Sequence, residues 1–361
     1  MRALYRTAVL DDFPDTVTVG LGDKPAMRFR KATWSVNGEK RGLRYGTNPS
    51  QAAALYIPEE HAAILESLRW VKWGKGGPSV TNIQDGIRGM QIVGHFPQDS
   101  ISAAAVMKHL NPCGVAIWHI PKTDIYSQAN LYTSAREADP RAAFGSVVAL
   151  NYPVTGLVAA RILESFVEVV YSPAYSHQAL AMLEEKKDLR LAEVPDMHEY
   201  IQTIPNITMM GGALIIEEPL KIKIQTLEDI KQCAVPTSRK PTEQEYKDLI
   251  DAWWVAANIR SNGVAFQRYG IALAIGTGNQ DRIGAIESCI AAARRTGGLE
   301  RSVMASDGFI PNIDNVQVIA REGVTAIVQP GGSVSDCKVI EECNLHGIAM
   351  VFTGERAFSH F

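Results

Sequence analysis

Long apolar runs are missing from this 361-residue sequence, and none reaches the roughly 18 residues that a membrane-crossing helix needs. The opening residues, MRALYRTAVLDDFPDT, lack an apolar core, which reads against a secretory signal. There is no basic excess: 36 Lys and Arg stand against 39 Asp and Glu, for a net charge of -3, which argues against a dedicated nucleic-acid binder. That balance still leaves room for a local basic pocket. No CxxC occurs, and the cysteines (Cys113, Cys233, Cys289, Cys337, Cys343) are odd in number and scattered, as expected of thiols in a reducing cytoplasm. A phosphate-binding loop of the GxxxxGK type is absent, as are a GxSxG elbow and the HxE…PCxxC pattern of zinc deaminases. Gly276-Thr277-Gly278 lacks the third glycine of a dinucleotide fingerprint and reads better as a tight turn before a helix. No metal site is expected.

What is present has the texture of an α/β protein, in a length that suits two domains of about 150 residues each. Residues 1–42 form a β-rich lead-in, with alternating runs at Thr16–Leu21 and Met27–Val36 around the turn signal Asn37-Gly38. Helices are expected near Glu60–Trp70 and Asn82–His95, and a strand over Ala103–His109. The break Asn111-Pro112-Cys113-Gly114 then leads to a strand Val115–Trp118. Helix and strand alternate through residue 216. Pro219, Pro236 and Pro241 mark 217–242 as a linker, and 243–361 repeats the rhythm of 43–216. The fold class is therefore α/β, duplicated, with helices on both faces of mixed sheets.

Two segments are chemically unusual. Lys108-His109 stand at the end of a strand running into a turn, where neighbours that would otherwise point to opposite faces can share a site. They read either as a proton-transfer histidine beside a cation or as an ordinary sheet-edge pair. Cys113 reads as a nucleophile without an obvious base, or as a buried turn residue. Leu43-Arg44-Tyr45-Gly46-Thr47-Asn48-Pro49-Ser50-Gln51 offers a guanidinium for phosphate and a ring for a base, or is a surface loop. Ser306-Asp307 and Asp314-Asn315 read as helix caps. Pro330-Gly331-Gly332-Ser333 reads as a loop leading into a helix, a place that can hold an anion.

In order, LRYGTNPSQ, KHLNPCGVA, ADPRAAFGSVVALN, FVEVVYSP, RSNGVA, SDGFIPNIDNV, GVTAIVQPGGS and HGIAMVFTGERAF resemble segments of one family. It is the AICAR transformylase domain of the bifunctional purine-biosynthesis protein AICAR transformylase/IMP cyclohydrolase, and the likeness runs from Leu43 to the end. The resemblance implies a cytoplasmic transferase of IMP biosynthesis. Such a formyltransferase moves the formyl group of 10-formyltetrahydrofolate to the 5-amine of AICAR. It also implies a duplicated cytidine-deaminase-like α/β/α sandwich without the deaminase zinc, active as a homodimer with shared sites. Lys108, His109 and Asn262 fall on its catalytic positions. Arg44, Tyr45, Asn82, Gly145, Glu168, Arg356, Phe309 and Asp314 fall on nucleotide-binding positions, and Arg282, Pro311, Asn312 and Asn315 on folate-binding ones. A monovalent cation fits the family without being specified by the sequence.

The sequence also departs from the family pattern. Ser50 stands where the family carries His, and Asn279 and Asp281 change the loop GTGNQDR. Ile310 and Asn312 replace aromatic residues, and Ile313 replaces an Arg. These changes keep a different formyl donor open as an alternative, beside a non-catalytic AICAR-binding regulator. A lead-in of 42 residues is too short for a cyclohydrolase domain, so a separate IMP cyclohydrolase is expected in the pathway.

Overall fold

The computed structural model describes residues 7–36, 38–60, 65, 67–120, 124–197 and 206–360. The chain divides into two compact units, residues 1–199 and 200–361. In the first, β1 (Thr16–Val19), β2 (Met27–Lys31) and β5 (Tyr56–Pro58) form an antiparallel sheet in that order. Next to β2 in sequence, β3 (Trp34–Val36) pairs with β4 (Glu39–Arg41). Asn37, of the expected turn, lies outside the described residues. So do residues 61–64 and 66 of the helix expected at 60–70, and its last two residues instead open β6 (Arg69–Lys72).

The rest of this unit runs α1 (Val80–Gly94), β7 (Ser102–Lys108), β8 (Asn111–Trp118), α2 (Ile125–Glu137), α3 (Pro140–Ala143), β9 (Ser146–Leu150), α4 (Gly156–Leu163), β10 (Val167–Ser172), α5 (His177–Leu183) and β11 (Arg190–Glu193). The sheet order is β8-β7-β9-β10-β11-β6, antiparallel at β8·β7, β7·β9 and β11·β6 and parallel between. Its inner strands β7 and β9 are buried on both faces, which is why they read as unbroken apolar runs. Ala104, Val106, Val148 and Leu150 pack with α2, α4 and α5, while Met107, Ala149 and Tyr171 face α1. Gly86 and Gly89 let α1 lie that close, since a Cβ on Gly86 would fall 2.3 Å from the Tyr171 ring. Lys72 caps the other end of a helix: its ammonium donates to the carbonyls of Leu183, Glu184 and Lys186 at 2.6, 2.8 and 2.9 Å, just where α5 ends.

One expectation is corrected. Asn111–Gly114 is not a break before the strand but the first half of β8, and the turn is His109-Leu110. Pro112 is tolerated because the ladder shifts register between Val106 and Met107, beside the residue that lacks an N–H. Two residues on, Gly114 is fixed by packing: a Cβ there would lie 1.8 Å from the Ala135 carbonyl oxygen of α2. Backbone cannot rotate away, so Gly114→Ala should cost about 3 kcal/mol of unfolding free energy as α2 is pushed off the sheet. Urea denaturation at wild-type midpoint would contradict this.

The second unit begins with the ribbon β12 (Asn206–Met210) and β13 (Ala213–Glu217). Residues 217–242, read above as a linker, include α6 (Leu227–Gln232), whose Thr226 and Asp229 form a capping box. Then follow α7 (Glu243–Ala257), β14 (Val264–Arg268), β15 (Ile271–Gly276), α8 (Arg282–Ala293), β16 (Val303–Ser306), α9 (Ile313–Arg321), β17 (Ala326–Gln329), α10 (Asp336–Leu345) and β18 (Ala349–Phe352). The sheet order within this unit is β15-β14-β16-β17-β18, antiparallel at the first two pairings and parallel at the last two. That is the order and sense of β8-β7-β9-β10-β11. As α1 does, α7 packs on one face, and α8, α9 and α10 share a core with Phe266, Met304, Ile327 and Met350 on the other. The duplication expected from the rhythm of the sequence is thus strand for strand.

Candidate active site

In the first unit Lys108 ends β7 and His109 begins the turn, exposed at its tip. The Lys108 ammonium donates to the carbonyls of Phe144 at 2.6 Å and Gly145 at 3.2 Å. An ammonium has three donors, so one remains for a ligand. Gly145, at φ +73, could not carry a side chain without strain, and a Cβ would come within 3.3 Å of the Lys108 nitrogen. His109 and Leu110 have φ of 54 and 69, a left-handed backbone that costs about 1–2 kcal/mol per residue outside glycine. Asp85, on α1, holds the turn by accepting the Leu110 amide at 2.6 Å. Burial pushes the Asp85 carboxyl up, opposed by the turn amides and the charge of His109.

Arg44, buried, donates to the Tyr45 hydroxyl at 3.0 Å and the Lys75 carbonyl at 3.3 Å, and its guanidinium lies 4.5 Å from the Tyr45 ring centroid. Arg190, which the sequence did not single out, is buried beside it. It donates to the carbonyls of Gly77 at 2.6 Å, Lys75 at 3.0 Å and Asp188 at 3.1 Å. Among the described residues neither guanidinium is ion-paired. Burial and then the Arg44 charge pull Arg190 down to about 10, and burial lowers Arg44. Two buried cations held by neutral oxygens are a receptor for an anion. Asn82 stands nearby in the chain's logic: it closes the capping box of α1 with Ser79 and donates to Glu168 at 2.9 Å. The Cys113 thiol donates to the Val106 carbonyl, and burial pushes it up to about 12, which removes it as a nucleophile at neutral pH.

In the second unit Asn262 is locked at both ends. Its amide donates to the Asn279 carbonyl at 2.9 Å, and its oxygen accepts from Arg282 at 3.0 Å. Arg282 also donates to the Gly263 carbonyl at 2.7 Å and lies 2.7 Å from the Asp307 carboxylate, close but poorly aligned for a hydrogen bond. Asp307 is no helix cap: fully buried, it accepts from the Ser261 hydroxyl at 2.5 Å and the Gly263 amide at 2.8 Å. Phe309 is exposed, and so is Arg356, whose guanidinium lies 4.5 Å from the Phe358 ring centroid. Asp314, also exposed, accepts from the amide and side chain of buried Asn315 at 2.7 and 2.6 Å.

The departures sort by environment. Ile310 is fully buried in the core, whereas Pro311 is half-buried and Asn312 is exposed at the start of α9. Asn279 serves Asn262 through its backbone, and Asp281 caps α8 by accepting the Gly284 amide at 2.6 Å, a task serine also performs. Ser50 is exposed. The Pro330–Ser333 loop offers an anion little: the Gly332 and Ser333 amides already donate to Asp336, at 2.7 and 3.1 Å. Gly278 likewise donates its amide to the Arg260 carbonyl at 3.0 Å. Among the described residues no group of three His, Cys, Asp or Glu side chains is placed to hold a metal, and no helix is long and apolar enough to cross a membrane.

By architecture this is a duplicated α/β/α chain, with an anion-receptive arginine pair and a Lys-His turn in one half and a locked asparagine in the other. A family model described as the AICARFT/IMPCHase bienzyme matches residues 3–293, and the chain belongs to that family. It is similar to the "Bifunctional purine biosynthesis protein PurH" of Anoxybacillus flavithermus (strain DSM 21510 / WK1), 37% identical over 363 aligned positions, covering 100% of this chain and 64% of the relative. The protein of that name in Bacillus thuringiensis (strain Al Hakam) is 35% identical over 89% of this chain and 60% of its own length. The chain thus spans about three fifths of the length of the curated relatives it matches.

Proposed function

We propose that the chain transfers a formyl group from 10-formyltetrahydrofolate to the 5-amine of AICAR in purine biosynthesis. The observation that carries this reading is the Lys108-His109 turn, in the same unit as a buried arginine pair suited to a nucleotide phosphate. The AICAR amine is a weak nucleophile because its lone pair is delocalised into a ring bearing a carboxamide. Its attack forms a C–N bond at the formyl carbon, and His109 takes the amine proton as general base. The carbonyl oxygen becomes an oxyanion, stabilised by the remaining donor of the Lys108 ammonium. Collapse breaks the bond to the folate nitrogen, which receives the proton.

Arg44, with Tyr45, holds the phosphate side, and Arg356 is a second cation for it. Asn82, Gly145, Glu168, Phe309 and Asp314 line the nucleotide. Asn262, fixed by Arg282, faces the transferred group, with Pro311, Asn312 and Asn315 toward folate. The family fold and the names of the relatives support this reading, as does the donor set. The site is read as one shared by a homodimer. Supporting this, the β12-β13 ribbon exposes Met209, Met210, Leu214, Ile215 and Ile216, an apolar surface that a second copy would cover.

The test is direct: purified protein with AICAR and 10-formyltetrahydrofolate should form tetrahydrofolate. Specific activity per chain should fall on dilution below the dimer dissociation constant. AICAR binding without turnover, with any formyl donor, would sink the reading in favour of a regulator. An active strict monomer would sink the shared site.

A further inference from the structure

Asp85 and Asp248 occupy the same place in the two halves. Each is buried on the helix before the hairpin, α1 or α7, and each accepts the second amide of the turn. Leu110 N donates to Asp85 Oδ1 at 2.6 Å, and Gly270 N to Asp248 Oδ1 at 2.8 Å. The amides of the first turn residues, His109 and Tyr269, also face these carboxylates. Backbone angles agree: φ is 54 and 69 at His109-Leu110, and 52 and 73 at Tyr269-Gly270. Even the cation before each turn behaves alike. Lys108 donates to the Phe144 carbonyl and Arg268 to the Glu300 carbonyl, each in the segment leading to the next strand.

The clamp therefore belongs to the scaffold, and the tip is what differs. In the second half the turn ends in glycine, which adopts a left-handed backbone freely. In the first half both tip residues carry side chains that disfavour it, so this turn depends on its clamp more than the other does.

We infer that Asp85 is a positioning residue: by accepting the turn amides it holds His109 in the left-handed backbone at the strand end beside Lys108, and so governs the step His109 performs. The inference rests on reading His109 as the proton-transfer group of formyl transfer. Asp85 is buried and acts through the turn amides, so its removal should act on kcat and not on AICAR binding.

Asp85→Asn keeps the size of the side chain but replaces one acceptor oxygen with a donor. In the full chain, kcat should fall about 10- to 100-fold, the scale of a small misplacement of a reacting group. KM for AICAR should stay within about twofold, because uniform binding is untouched. Asp248→Asn, the same change in the other half, should leave kcat at the wild-type value. Adding Leu110→Gly to Asp85→Asn should restore part of kcat, which a purely structural lesion would not allow. Hydrogen exchange of the 107–112 peptide should quicken in Asp85→Asn and stay unchanged in Asp248→Asn. If Asp85→Asn does not fold, Asp85→Glu, which displaces the carboxylate by one methylene, should show the same split.

Wild-type kcat in the Asp85 variant would overturn the inference, as would equal losses in both Asp variants. If the wild-type protein makes no formylated product, it is the formyl-transfer reading that fails. Exchange at the turn then decides the clamp alone, and unaltered exchange in Asp85→Asn overturns it.

Discussion

His109→Ala should lower kcat by about 10²- to 10⁴-fold, the range that general acid–base groups supply, while AICAR binds as before. The size follows from the chemistry: an amine with a delocalised lone pair attacks productively only if its proton leaves as the new bond forms. The selectivity follows from the structure. His109 is exposed at a hairpin tip, so truncating its side chain opens no cavity, and the Arg44 region that would hold the phosphate is anchored elsewhere in the fold. Single-turnover kinetics and calorimetric titration with AICAR separate the two effects. Near wild-type kcat would remove His109 from the mechanism, and lost AICAR binding would make it a binding residue instead.

Arg44→Met should weaken AICAR binding by about 2–5 kcal/mol, the cost of truncating one partner of a buried charge pair in a complex. That is roughly 30- to 4,000-fold in Kd. Stability should move the other way or not at all. Burial lowers both guanidiniums and the Arg44 charge lowers Arg190 further, while Glu168 and Asp188 act on both in the other sense. The substitution thus offsets a lost attraction with a lost repulsion and burial cost, and keeps an apolar stem. Thermal unfolding and titration on one preparation make the check. A lower melting temperature with unchanged Kd would show that Arg44 serves the fold and that the phosphate binds elsewhere.

Periodicity made the architecture legible because each half buries strands on both faces and helices on one. Asn82–His95 was expected as a helix and Ala103–His109 as a strand, and they stand within a few residues of α1 and β7. Pro112 misled because a proline inside a strand depends on a register shift in its partner, a tertiary fact that no local pattern shows. Site residues divide in the same way. Lys108-His109 and Arg44-Tyr45 announce themselves as odd neighbours in sequence. Arg190 does not, since it lies 146 positions beyond Arg44 on a strand and meets it at the Lys75 carbonyl, to which both donate. Asp307 was read as a cap because Ser-Asp-Gly is cap-like, and only its burial against Arg282 reveals another task. Asp85 could have been found: it follows Asn82 by three on α1, the spacing that puts two side chains on one face of a helix.

The paired hairpins bear on how such a chain can change over generations. A turn whose shape is dictated from a neighbouring helix frees its own two residues from the duty of shaping it. Substitutions at the exposed positions 109 and 269 are thus filtered more by what they do than by whether the protein folds, while buried Gly270 stays tied to the shape of its turn. One ancestral loop could acquire a histidine while its copy kept a tyrosine and a glycine, without either half being rebuilt. For a library aimed at new reactivity, residue 269 is the place to vary, with Gly270 and Asp248 left alone.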